Sequence, residues 1–158
     1  MNQVHNRDRQ DDSINSFELL MQVANSVFQY SDNSLYRAGR LTSAKFIQLK
    51  LIDLYGGKIT NAELAKLTNT KRSNITQVTS DLKKLKLVEV RRRQDDKRFI
   101  DIMITQEGKK LLAEALPIAS KVVENTMKGI SQRQLKQLMR YLNIIKMNID
   151  NAAIYHHD

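Results

Sequence analysis

The chain has 158 residues, 41% of them hydrophobic, enough for one globular domain with a single core, and it has no cysteine. The missing thiols exclude cysteine catalysis, cysteine metal sites and disulfides, and suit a reducing cytosol. The formal net charge of +9 is unevenly placed: Lys58 to Lys110 carries 14 Lys and Arg against 7 Asp and Glu, the remainder 12 against 10.

No apolar run approaches the roughly 18 residues of a membrane span. Met1-Asn2-Gln3-Val4-His5-Asn6 lacks the apolar core of a signal peptide, so a cytoplasmic protein with no membrane partner is expected. Residues 1–12 are polar, charged and aperiodic, which predicts a mobile tail. From Ser13 the apolar residues Ile14, Phe17, Leu20, Met21, Ala24, Val27 and Phe28 recur at helical spacing, predicting a helix to about Ser31 and then a polar break, Ser31-Asp32-Asn33-Ser34.

Thr42 reads as an N-cap, with Leu41 and Phe46 spaced for a hydrophobic staple; its helix runs through Ile47, Leu51 and Leu54 to Gly56-Gly57. Thr60-Asn61-Ala62-Glu63 is a capping box opening a short helix with Leu64, Ala65 and Leu67 inside. After Thr68-Asn69 a further short helix is expected, with Thr70 as its cap.

Over Val88 to Thr105 the period changes. Val88, Val90, Ile100, Ile102 and Ile104 alternate with polar positions, which predicts a two-stranded hairpin with one buried face. Its tip, from Arg91 to Arg98, is charged enough to face solvent or a ligand. Thr105 caps the next helix, which packs Leu111, Leu112, Ala115, Ala119, Val122 and Val123 and should kink or break at Pro117. Ser131-Gln132-Arg133-Gln134 is a second capping box. It opens a final helix whose Leu135, Leu138, Leu142, Ile145, Ile149 and Ala152 form a coiled-coil-like stripe.

Two short helices joined by a tight turn and followed by a hairpin make a winged helix-turn-helix. The expected fold is therefore mainly α with a small β-hairpin wing (α+β), with 37–105 as the winged domain. Residues 13–36 and 106–158 form a helical region for pairing with a second chain, through Ile14, Phe17, Met21, Leu138, Leu142, Ile145 and Ile149.

The helix Lys71 to Leu85 divides into two faces at 100° per residue. Ile75, Val78, Leu82 and Leu85 form the inner one. Lys71, Arg72, Ser73, Asn74, Thr76, Gln77, Ser80, Lys83 and Lys84 lie outside it, with no carboxylate. Amides and hydroxyls read base edges, and Arg and Lys reach guanine or phosphate, so this face has the chemistry of a duplex reader. The wing cations Arg91, Arg92, Arg93, Lys97 and Arg98 suit the minor groove, with Asp96 spaced to pair with Arg98. No nucleophile elbow, paired-carboxylate motif or glycine-rich phosphate loop occurs, so neither catalysis nor a cofactor is expected. His5, His156 and His157 sit near the termini and read as frayed ends rather than metal ligands.

In order and spacing the chain resembles the MarR family of transcription regulators, from Ser13 to Ile149. The matching residues are Leu41-Thr42, Glu63-Leu64-Ala65, Ile75-Thr76-Gln77-Val78 with Leu82, Leu87-Val88, Asp96-Lys97-Arg98 and Ile104-Thr105-Gln106-Glu107-Gly108. The chain departs from the family at Lys86, where a glycine is usual, and at Ser80-Asp81, where Asp-Arg is usual. The resemblance implies a homodimer joined through its first and last two helices, a recognition helix at Lys71 to Leu85 and Arg98 in the minor groove. It implies a repressor on a pseudo-palindromic operator and a small aromatic or anionic effector in the cleft between the two parts. A winged-helix module that binds a protein partner, its basic face merely solvated, is the alternative; steep salt dependence of duplex binding belongs only to the first reading.

Overall fold

The structure, a computed structural model, describes residues 2–39, 41–93 and 100–154. In chain order the elements are α1 (Asn2–Gly39), α2 (Ser43–Leu54), α3 (Asn61–Thr68), α4 (Arg72–Lys84), β1 (Val88–Arg92), β2 (Ile100–Ile104), α5 (Gln106–Thr126) and α6 (Gln132–Ile154). They fall into two compact units, Met1–Val123 and Glu124–Asp158.

Helix α1 is longer at both ends than the periodicity predicts. It begins at Asn2, so the stretch read as a tail is helical, and it runs through the expected break to Gly39. Neither glycine nor proline interrupts residues 2–38, and extending a formed helix costs little. In the polar stretch Ser34 Oγ donates to the Tyr30 carbonyl at 2.8 Å, and Asp32 Oδ1 accepts the Ser43 N–H at 2.6 Å. Leu35 just beyond is buried, so tertiary packing outweighs the weak helix propensity of Ser, Asp and Asn.

The core of the first unit is built on Leu41, Leu49, Ile52, Ile59, Leu64, Leu82, Val88 and Ile102, closed by Leu35 from α1 and by Leu112 and Ala115 from α5. Thr42 caps α2 by accepting the Lys45 N–H, and both staple residues, Leu41 and Phe46, are buried. The Thr60–Glu63 capping box forms as expected. Four residues expected inside are exposed: Leu67, Leu85, Ile100 and Val123. Leu85 lies past the end of α4 as its C-cap, and Thr79 takes the buried position instead.

That substitution is polar. The Gln48 amide donates to Thr79 Oγ1 at 2.5 Å, and the Thr79 hydroxyl lies 2.7 Å from Asn61 Oδ1 and 3.0 Å from the Ile75 carbonyl. Directional hydrogen bonds from a buried amide fix geometry more sharply than apolar contact, so α4 is keyed to both α2 and α3.

Thr70 does not cap α4. Asn69 adopts the left-handed conformation and closes α3, and the Thr70 N–H goes back to the Ala65 carbonyl. Its hydroxyl donates to the Thr68 carbonyl, leaving Lys71 at the N-cap of α4 with no side-chain cap.

β1 and β2 pair antiparallel, Val88 opposite Ile104 and Val90 opposite Ile102. Ile59 adds a single bridge to Ile102, so the hairpin is stitched to the segment between α2 and α3. Val88 and Ile102 are buried while Ile100 is exposed, so the buried face of the hairpin is confined to its base. Thr105 caps α5 through the Gly108 N–H and also donates to the Lys86 carbonyl. A Cβ on Gly108 would stand 2.2 Å from the Leu87 carbonyl oxygen, so only glycine lets α5 pass this close to the wing.

Helix α5 runs unbroken through Pro117. Ala113, whose carbonyl loses its partner, lies on the exposed side and can turn to solvent. In the second unit the Ser131–Gln134 box opens α6 as expected.

Candidate nucleic-acid interface

The burial pattern of α4 leaves one continuous outer face. Arg72, Ser73, Asn74, Thr76, Gln77, Ser80, Lys83 and Lys84 are all exposed, as is Lys71 at the N-cap, while Ile75, Thr79 and Leu82 anchor the helix from behind. The basic end residues Lys83 and Lys84 also suit the negative end of the helix dipole.

The face is not free of carboxylate. Asp81, half-buried at its margin, accepts the Gln77 amide N–H at 3.2 Å and sits 3.6 Å from the Lys84 ammonium. Gln77 is therefore held with its carbonyl oxygen and remaining N–H available. Thr76 donates its hydroxyl to the Arg72 carbonyl at 2.8 Å, so toward solvent it offers lone pairs and a methyl group. The i, i+4 spacing of Gln77 and Asp81 was a readable signal of their pairing.

On the hairpin, Arg91 and Arg92 lie within β1 rather than at its tip. Arg91 is paired with Glu89 at 2.6 Å on the exposed surface. Arg93 forms a two-pronged pair with Asp101, at 2.6 and 3.0 Å, that locks the two strands where the sheet ends. The Asp101 carboxyl is held below its usual range chiefly by those hydrogen bonds, against an opposing effect of burial and with the charges of Arg93 and Lys58 adding. Arg93 is thus committed within the wing, which sequence spacing did not indicate. Lys97, Arg98 and the expected Asp96 partner lie outside the described residues.

Two hollows flank α4. One is an open groove of about 590 Å³ between its C-terminal end and the wing, lined by Lys83, Lys86, Arg91, Glu89 and Glu107 among others. The other, about 300 Å³, lies behind the helix, with Phe28, Ile47, Ile75 and Val78 as apolar walls and Asp32 and Gln48 as polar ones. Among the described residues no Lys or Arg lines it. Ser43 Oγ and Gln48 Oε1, on residues that line this hollow, are buried without a partner.

The residues expected to pair chains are exposed in the single chain. Ile14, Phe17 and Met21 on α1 and Leu138, Leu142, Ile145 and Ile149 on α6 all present apolar surface to solvent. Among the described residues no group of His, Cys, Asp and Glu is placed to hold a metal, and no helix is long and apolar enough to cross a membrane.

No protein-family model matches the chain. It is 32% identical over 109 residues to the HTH-type transcriptional repressor YetL of Bacillus subtilis (strain 168), a match covering 68% of this chain and 65% of that one. The chain thus spans just under two thirds of the length of this curated relative. Among solved structures it superposes on Sco3205, a MarR family transcriptional regulator from Streptomyces coelicolor in complex with DNA, with a TM-score of 0.82. That match covers 87% of this chain and 88% of the other at 19% identity. The organohalide-sensing regulator RdhR-CbdbA1625 in its 2,4-dichlorophenol-bound form gives 0.78, with 86% and 80% covered at 20% identity. These relatives are described as transcriptional regulators, not enzymes. The fold is the winged-helix fold of MarR-family regulators, as the resemblance in the sequence implied.

Proposed function

We propose that this chain is a member of the MarR family and acts, without catalysis, as a homodimeric cytoplasmic transcription regulator, a repressor that reads duplex DNA with α4. The observation that carries this is the outer face of α4. It joins base-reading groups at Asn74, Thr76 and Gln77 to cations at Arg72, Lys83 and Lys84, on a helix keyed from behind by buried Gln48 and Thr79. Thr76 and Gln77, in the second turn, are placed to read bases; Lys83 and Lys84 are placed to meet phosphates. The wing, with Arg91, Arg92 and Arg98, takes the neighbouring minor groove.

The dimer reading is supported by the exposed apolar stripes of α1 and α6, which a lone chain leaves in water. The domain scheme follows from it, with 37–105 reading DNA and 13–36 with 106–158 pairing the chains. As the bound forms of the relatives suggest, a small molecule releases the operator. The apolar walls of the hollow behind α4 suit the aromatic part of such an effector.

Selection of bound fragments from a random duplex pool tests this. The expected product is a pseudo-palindrome with half-site centres about one helical turn, roughly 10 base pairs, apart. Recovery of a single asymmetric half-site, or of no enriched sequence, overturns the reading.

A further inference from the structure

Lys86 stands in the left-handed region with φ of 60°, one of two described non-glycine residues with positive φ. Its position explains the angle. Leu85 is the C-cap of α4, the Lys86 N–H bonds the Lys83 carbonyl at 2.9 Å, and the Leu87 N–H bonds the Leu82 carbonyl at 2.9 Å. This paired closure puts its residue into a conformation that glycine adopts freely and a residue with a Cβ does not. The site is also rigid: the Lys86 carbonyl accepts the Thr105 hydroxyl at 2.8 Å, and Leu87 beside it is buried.

The side chain of Lys86 is exposed and lines the groove shared by Lys83 and Arg91. Glu89 and Glu107 line it too, but Glu89 is engaged by Arg91. Neither Lys83 nor Lys86 makes an ion pair with a described residue.

We propose that Lys86 is a phosphate-contacting residue, standing at a position that favours glycine because its charge lies over the DNA backbone between the two grooves. The proposal rests on the DNA-binding reading of the chain. A helix in the major groove and a wing in the minor groove are separated by a ridge of phosphates. The segment Leu85-Lys86-Leu87 connects those two elements, so the ridge runs past it. A cation fixed there neutralises a phosphate without a loop having to be ordered on binding.

The test uses the full chain on a short mixed-sequence duplex, between roughly 0.05 and 0.2 M salt. Lys86→Gln keeps the Cβ and the backbone geometry and removes only the charge. It should flatten the slope of log K against log salt by about one unit for each protomer bound and weaken binding about five-fold per protomer near 0.15 M. Lys86→Arg should keep the slope of the parent. Lys86→Gly should lose the slope as Gln does, yet raise the thermal midpoint by about 2–4 °C as the backbone relaxes. A Lys86→Gln slope equal to a steep parent slope overturns the proposal alone, and so does a stability loss in Lys86→Gln with no change in slope, which would assign the charge to the end of α4. A midpoint that does not rise in Lys86→Gly overturns the claim that function holds lysine there. A parent that binds no duplex overturns this proposal together with the reading it rests on.

Discussion

The winged segment and helix α6 differ in what they bury. Between Leu41 and Ile102 the chain closes a core in which Leu49, Ile52, Leu64 and Leu82 are fully buried. Along α6, from Gln132 to Ile154, no described side chain is buried, although Leu138, Leu142, Ile145 and Ile149 are as apolar as those core residues. Both regions have clean helical periodicity. One finds its partners within the chain, and the other presents a stripe that solvent opposes. Amphipathic pattern reports that a face will be covered, but not by which chain.

The sharpest way to break this contrast is to place a charge on the α6 stripe. Leu142→Glu should abolish a dimer at micromolar concentration, raising its dissociation constant at least about a hundredfold, because an unpaired charge at a closed interface costs about 3–5 kcal/mol. Light scattering on parent and variant reads this directly. A parent that is a folded monomer at every accessible concentration, or a variant still dimeric, would remove the interface from α6. In the other region, Leu82→Ala should cost about 2–5 kcal/mol by denaturant titration, since it empties a fully closed site. If it costs no more than Met139→Ala on exposed α6, burial at Leu82 does not stabilise the fold.

Smaller effects sharpen the outer face of α4. Gln77→Ala should cost about 1–3 kcal/mol on the preferred operator and relax the choice at one base, whereas Lys83→Ala should weaken all duplexes alike. Titrations on operator and scrambled duplexes separate the two. Equal losses on both duplexes for Gln77→Ala, or an operator-only loss for Lys83→Ala, would reverse the assignments.

The smallest expected effect concerns the wing. The Asp101 carboxyl is lowered from its ordinary value of 3.8 by Arg93, so the pair stabilises the folded wing above that value. The contribution is lost as pH falls through the lower folded value. Asp101→Asn should therefore cost about 1 kcal/mol near neutrality, discounted for the partly exposed guanidinium, and the gap between variant and parent should close below about pH 4. A gap independent of pH would mean that the ion pair does not hold the strands.

What the sequence made legible was local. The capping boxes at Thr60–Glu63 and Ser131–Gln134 and the staple at Leu41 and Phe46 each need only four or five consecutive positions, and each stands as expected. The hairpin followed from alternation, and its expected buried face stands at the base, where Val88 and Ile102 are buried, but not at Ile100. The outer face of α4 was readable for the same reason. What escaped were features decided between distant segments. Thr79 is buried because Gln48, 31 residues earlier, offers it an amide, and no period reports that. α1 continues past Ser31 because Leu35 finds a core and Asp32 finds the N-terminus of α2. Arg93 pairs with Asp101 across the hairpin, so an arginine read as a groove contact is part of the scaffold.

In the proposed complex two copies of this chain grip one duplex through α4 and the wing. Sedimentation of the full chain with a selected operator, repeated across a salt series, measures stoichiometry and electrostatics together. The expected result for that complex is two chains per duplex and a log affinity falling linearly with log salt, with a slope of several units. One chain per duplex, or an affinity indifferent to salt, would contradict it.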